Sequence, residues 1–196
     1  MFHNFENSLL HERQQTSMAD AFYHDVMHVS ELQRFNSDSD ADMEMQRQDV
    51  DLLLTLNGIT YRVSEKFRDK DFGDLYVEVF GKYPDTYGWI LTGSPNAILY
   101  FTPKKVYWIT HKSLAEFCHK TLFPLIPPSW YQQIYSSPKT IISKQLLLSH
   151  KFIKISIIKA HNHPTKGKDW DTIGISIPFS VLSVNGVKIK QFELNN

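Results

Sequence analysis

One cysteine in 196 residues, Cys118, has no partner within the chain, so no internal disulfide can staple this fold. That usage suits a reducing compartment, and a cytoplasmic location is expected. Charge of one sign is also missing: 21 basic residues against 21 acidic ones give a formal net charge of zero. No global field draws the chain to nucleic acid or to an anionic membrane, so any such binding has to come from a local patch. No run of about 18 apolar residues occurs, and no basic-then-apolar leader, so neither a membrane span nor a signal peptide is expected. Internal repeats and domain-splitting linkers are absent as well.

What remains is ordinary in composition, with 42% hydrophobic and 13% aromatic residues. A chain of this size can bury roughly two-thirds of its unfolded surface in one α/β domain. The strongest local signal is Asn57-Gly58 between two alternating apolar runs, Leu52–Leu56 and Ile59–Val63. A two-residue hairpin loop fixes the register, pairing Leu56 with Ile59, Asp51 with Ser64 and Asp49 with Lys66. Side chains alternate along a strand, so Leu52, Leu54, Leu56, Ile59, Tyr61 and Val63 make a core face. Asp49, Asp51, Thr60, Arg62, Ser64 and Lys66 share the other. A third strand, Leu75–Phe80, is expected to return antiparallel beside this hairpin and bring Glu78 near Ser64. Carboxylates converging on one lysine suit Mg²⁺ or Mn²⁺ and a phosphate. A solvated face of cross-strand ion pairs would show the same residues.

An Asp, a strand–turn–strand and an acidic-x-Lys pattern resemble the PD-(D/E)XK nuclease superfamily. Ser64-Glu-Lys-Phe-Arg68 is similar to the Gln-Glu-Lys-Phe-Arg variant of some phage and mobile-element members, and Gln46-Arg-Gln-Asp-Val-Asp51 resembles the entry to their strand. The resemblance spans roughly residues 20–120. It implies a restriction-endonuclease-like fold, a mixed sheet with an antiparallel β-meander core and flanking helices, and a Mg²⁺-dependent phosphodiesterase acting on DNA rather than RNA. Asp51 would be the first metal ligand and Lys66 the catalytic lysine. Ser64 departs from the pattern, which has Asp, Glu or Gln there. Two residues can supply the missing acid: Glu65 through a β-bulge, or Glu78 from the neighbouring strand. If neither does, the chain reads as a non-catalytic binding or interaction module on the same fold.

Elsewhere the spacing predicts a helix from Ser17 or Asp20 through Leu32; the same resemblance, in which a helix before the sheet often contributes an acid, makes Glu31 near its end an outside candidate. Asn36–Asp42 reads as an acidic loop, lacking the glycine of a calcium-binding loop. Ala97–Phe101 and Val106–Ile109 read as a hairpin, and Ser113–Thr121 as a helix that buries Cys118. The nuclease-like core is expected over about 18–123 and a basic, β-rich part over about 124–196. There Phe152–Ile158 and Thr172–Ile177 read as strands. Lys151, Lys154, Lys159, Lys166 and Lys168, with Arg62 and Arg68 from the hairpin strand, are candidates for phosphate contacts. Trp130, Tyr131, Tyr135 and Trp170 are core aromatics unless they stack bases. His161-Asn-His-Pro164 resembles the metal-binding start of JAMM-type metalloproteases, which would imply a zinc hydrolase, but that pattern's downstream Asp falls on Gly174.

Overall fold

The computed structural model describes residues 5–163 and 168–194. Helix α1 (Phe5–Asp25) leads into strand β1 (Glu31–Arg34), and α2 (Asp40–Arg47) leads into the hairpin β2 (Leu52–Leu56) and β3 (Ile59–Phe67). After β4 (Asp74–Lys82), β5 (Thr86–Tyr87) and the single turn α3 (Trp89–Thr92) come β6 (Ala97–Phe101) and β7 (Lys105–Thr110). Helix α4 (His111–Phe117) runs into a π-helical turn, Cys118–Leu122, and α5 (Pro128–Tyr135) follows. Strands β8 (Ile141–Leu148), β9 (Lys151–Asn162) and β10 (Trp170–Pro178), helix α6 (Phe179–Val184) and β11 (Ile189–Glu193) complete the chain.

The strands form two sheets, ordered β1-β2-β3-β6-β7-β11 and β5-β4-β10-β9-β8. The first is mixed, because β3 and β6 run parallel; the second is antiparallel throughout. The class is therefore α/β. The hairpin has the expected register, Leu56 opposite Ile59 and Leu52 opposite Val63. Asn57 (φ 52°) and Gly58 (φ 75°) supply the two left-handed residues that a tight turn needs. Leu52, Leu54 and Val63 are fully buried, and each contributes about 1.5–3 kcal/mol by leaving water. They meet Ala19, Phe22 and Tyr23 of α1 and the alternate residues Leu99 and Phe101 of β6. A second core joins Ile98, Tyr100, Tyr107 and Ile109, on the opposite face of the same sheet, to Val77, Ile173 and Ile175 of the second.

Several expectations are corrected. Leu75–Phe80 does not continue the hairpin as a meander. It lies in the second sheet between β5 and β10, while β6 takes the edge of β3. Alternation fixes which face of a strand is apolar but not which strand pairs with it; here the isoleucines 173, 175 and 177 of β10 take β4 as neighbour. The first helix ends at Asp25, because His28 adopts φ 55°, and Glu31 sits on β1 opposite Thr55. The loop expected over Asn36–Asp42 stops at Ser39, whose hydroxyl accepts from the Asp42 N–H as N-cap of the helix Asp40–Arg47. Residues beyond 123 are built into both sheets, β10 against β4 and β11 against β7.

Candidate active site

Asp49 stands where α2 gives way to β2. Its N–H donates to the Gln46 carbonyl, and a positive φ of 56° turns the chain into the strand. Asp51 follows, its N–H bonded to the Val63 carbonyl. Both carboxylates meet Ser64, whose hydroxyl lies 2.8 Å from Asp49 Oδ2 and 3.3 Å from Asp51 Oδ2. Asp51 Oδ2 also accepts the Glu65 N–H at 2.7 Å. Two residues further along the same face, Lys66 Nζ donates to Asp49 Oδ1 at 2.8 Å, 5.6 Å from the centre of the Trp89 ring.

Glu78 reaches this cluster from the other sheet. Asp49, Lys66, Arg68, Tyr76, Glu78, Trp89 and Tyr100 line one cavity of about 310 Å³ together with Phe67. Gly88 makes the approach possible: a Cβ there would stand 2.5 Å from the Glu78 carbonyl oxygen, so only glycine lets α3 sit on β4. The Trp89 backbone N–H then donates to the Glu78 carboxylate. Burial pushes the Glu78 pKa up; Lys66 pulls it down and Asp49 adds to the rise. Burial likewise raises Asp49 against the opposing pull of Lys66. The two carboxyls are thus partly desolvated beside the Lys66 ammonium. Arg68 adds a second cation, held by Asp74 at 3.5 Å and lying over Phe72 and Tyr76.

Glu65 is not part of the pocket. Strand β3 carries no bulge here, so Glu65 alternates onto the α1 face, 6% exposed. It receives Arg34 Nη1 at 2.5 Å, Arg34 Nη2 at 3.1 Å and the Tyr23 hydroxyl at 2.6 Å, and Asp20 completes the network from α1. Asp51 borders the cluster but does not line the cavity; Asp49 takes that place. The sequence already set Asp49 opposite Lys66, and that register was the signal for it. Alternation along Leu75–Phe80 puts Tyr76 on the Glu78 side of its strand, but nothing local marked Trp89 and Tyr100, which arrive through the packing of the two sheets.

The basic candidates separate. Lys151, Lys154 and Lys168 are exposed, while Lys166 lies outside the described residues. Lys159 is 5% exposed and donates to the carbonyls of Tyr135 at 3.1 Å and Ser137 at 2.6 Å. It closes the C-terminal end of α5, where a cation is favoured, and has no surface to offer a phosphate. Arg62 is engaged internally, with Gln48 and with Ser94 Oγ at 3.1 Å. Tyr131 is buried and Trp130 packs against the core, whereas Tyr135 is exposed. Cys118 is buried and its thiol pushed up to about 12 by desolvation, so it is no nucleophile. His161 Nδ1 pairs with Asp171, and His163 Nδ1 with Asp169 at 2.8 Å. Among the described residues, no three His, Cys, Asp or Glu side chains form a group able to hold a metal ion.

Compared with known proteins, the chain matches no family model, no curated protein and no solved structure.

Proposed function

We propose that the Asp49–Lys66–Glu78 pocket is the centre of a metal-dependent phosphodiesterase acting on DNA, on a restriction-endonuclease-like variant of the α/β fold. The observation that carries this reading is the 2.8 Å pair of Lys66 and Asp49 inside a cavity that Glu78 enters from a second sheet. Mg²⁺ is commonly held by one or two carboxylates with substrate phosphate and water filling the remaining positions. Asp49 and Glu78 are such a pair. Each oxygen of Asp49 takes one hydrogen bond, and a carboxylate has about four lone-pair sites, so acceptor capacity remains. The ion, when bound, would supply positive charge to the phosphoryl oxygens.

The chain's own residues have separable roles. Lys66 is held at the pocket by Asp49 and donates to a phosphate oxygen or to the attacking water. Ser64 fixes the rotamer of Asp49 and braces Asp51 behind it. The Trp89 ring walls the ammonium on one side, and its backbone N–H orients Glu78. Arg68 gives a second contact for the diester backbone, and the exposed Lys151, Lys154 and Lys168 are candidate outer contacts. Linear double- and single-stranded DNA incubated with Mg²⁺, with and without EDTA, tests the reading. Cleavage that EDTA abolishes and Lys66→Met lowers by about 10²-fold or more is expected, since positioning and charge supply most of such a barrier reduction.

A second reading is favoured by Ser64, which is fully buried where the resembled pattern has Asp, Glu or Gln. On it the chain is a binding module that keeps the pocket without the chemistry. DNA binding with no EDTA-sensitive cleavage of either substrate separates it from the first.

A further inference from the structure

The second sheet is covered on one face and open on the other at β8 and β9. Leu146, Leu148, Ile155 and Ile157 are buried in the second core with Tyr131 and Ile134 of α5. The alternate residues point the other way. There Leu147 pairs with Phe152, Gln145 with Lys154 and Ser143 with Ser156. Phe152 is 76% exposed and Leu147 55%, and Gln145, Lys154 and Ser143 are exposed beside them. This face runs into the Lys66 pocket. Ser156 pairs with Ser176 of β10, and Ser176 with Tyr76 of β4, so one row of hydroxyl-bearing side chains crosses four strands from Ser143 to Tyr76. Tyr76 lines the pocket, and its ring lies against β10 because residue 174 is glycine: a Cβ there would stand 2.4 Å from the ring. Strand spacing sets Ser156 about 10 Å from Tyr76 across the sheet, and Phe152 about 13 Å further along β9. Beside the pocket Phe72 is 63% exposed, with the Arg68 guanidinium over its ring at 5.3 Å.

The charge of this region is one-sided in a chain that is neutral overall. Between Glu116 and Asp169 the sequence has eight lysines and no Asp or Glu, and β8 and β9 lie inside that stretch. Lys144 is engaged with Gln133 and Trp130, and Lys159 with the carbonyls at the end of α5, which leaves Lys151 and Lys154 to solvent. β8 is also an edge strand, yet a second copy of the chain laid along it would bring two surfaces of like charge together. The occupant that fits is a polyanion. Exposed phenyl rings beside cations suit unpaired bases, whose faces stack on aromatic side chains while the backbone meets the positive charge; a duplex hides those faces.

We propose that this face holds single-stranded DNA running out of the Lys66 pocket, with one base on Phe72 beside the pocket, a phosphate at Lys154 and a further base on Phe152. The inference rests on the DNA reading above for the identity of the chain and not on cleavage, so it holds for an enzyme and for a binding module alike.

The test is fluorescence anisotropy of end-labelled oligo(dT), and of its duplex with oligo(dA), titrated with the full chain in EDTA. The single strand is expected to bind at least about fivefold tighter than the duplex. Phe152→Ala and Phe72→Ala should each weaken oligo(dT) by about fivefold or more and leave the slope of log K against log salt unchanged, since no phosphate contact is lost. Lys154→Glu should weaken it and flatten that slope. Lys190→Glu, the same charge change on β11 at the far edge of the first sheet, should leave binding within about twofold. All four side chains are exposed, so none of these variants removes a core contact. The proposal is overturned if the duplex binds as tightly as the single strand, if either phenylalanine variant leaves oligo(dT) within about twofold, if Lys190→Glu acts like Lys154→Glu, or if phosphatidylserine vesicles retain the chain and oligo(dT) does not bind. Any of these results with EDTA-sensitive cleavage intact strikes the single-strand face alone, whereas single-strand binding without cleavage strikes the phosphodiesterase reading alone.

Discussion

Glu65 and Lys66 are consecutive on β3 and point to opposite faces of the first sheet. Lys66 Nζ reaches Asp49 at 2.8 Å, while Glu65 Oε2 receives Arg34 Nη1 at 2.5 Å on the α1 side. A regular strand imposes this separation, and α1 exploits it. Glu65 is the anchor by which Arg34, Asp20 and Tyr23 lock the first helix to the sheet, and burial together with the Glu65 charge raises the Tyr23 pKa. The glutamate of the Glu-Lys pair thus serves the fold, and the lysine serves the pocket.

Arg34→Met should therefore be far more damaging to stability than to the pocket. It leaves Glu65 buried without its cation, with the Tyr23 hydroxyl still donating to it, a loss of about 3–5 kcal/mol. Glu65→Gln in the same chain should recover part of that loss, since the stranded charge is gone. Urea unfolding of the two single variants and the double variant measures the coupling. Mn²⁺ affinity should be unchanged in Glu65→Gln; a loss there beyond about tenfold, or 1.4 kcal/mol, would return Glu65 to the metal set.

The basic C-terminal region divides in the same way. Lys159→Met removes the cation that satisfies two carbonyls at the end of α5 and should destabilise by about 1–3 kcal/mol. It should leave the salt dependence of DNA binding as it was. Neutralising Lys151, Lys154 and Lys168 together should do the reverse, flattening the slope of log K against log salt with little change in stability. A flattened slope in Lys159→Met would show that the buried lysine reaches phosphate after all.

The sequence carried the hairpin almost completely. Asn57-Gly58 has one good conformation, and the alternation of Leu52, Leu54 and Val63 with Asp51 and Ser64 admits one register. It also put Asp49 across from Lys66. The partner of Leu75–Phe80 was not legible, because β4 and β10 are far apart in the chain and pair through buried isoleucines that any apolar strand could have met. Glu78 therefore arrived at the pocket by a different route from the expected one, across two sheets rather than along one. Helix α2 was hidden by a composition rich in Ser and Asp, residues that favour caps and turns; the single cap at Ser39 decided the outcome.

Glu78 sets a pH dependence whose sign is fixed by its raised pKa. A carboxyl raised on folding contributes fully below its unfolded value, about 4.3, and loses that contribution as pH climbs through the folded value. Glu78→Gln removes the loss. The variant should have a higher Tm than the wild type at pH 7, and the difference should close as pH falls toward about 4. Mn²⁺ competes with the proton, so the wild type should gain more from the ion as pH rises, and Glu78→Gln should gain less at every pH. A Tm difference that widens on acidification would contradict the burial of Glu78.

Ser64→Asp is the sharpest substitution in the molecule. The serine is fully buried and its hydroxyl bridges Asp49 and Asp51, so an aspartate there sets three carboxylates around one point beside a single lysine. Without metal the variant should lose about 3–5 kcal/mol, the penalty for an unpaired buried charge. With metal it should recover more than the wild type gains, because an ion that binds only the folded state stabilises by about 2.7 kcal/mol at a hundred times its Kd. Thermal unfolding of both forms across a Mn²⁺ series, with Ca²⁺ as the larger ion, reads the difference directly. If neither form is stabilised by Mn²⁺ and neither cleaves DNA in an EDTA-sensitive way, the pocket is not a metal-dependent active site and the binding-module reading stands. If Ser64→Asp alone is stabilised and cleaves, the serine is the lesion that separates this chain from catalysis. Stabilisation and cleavage in the wild type would instead make Asp49 and Glu78 a sufficient pair.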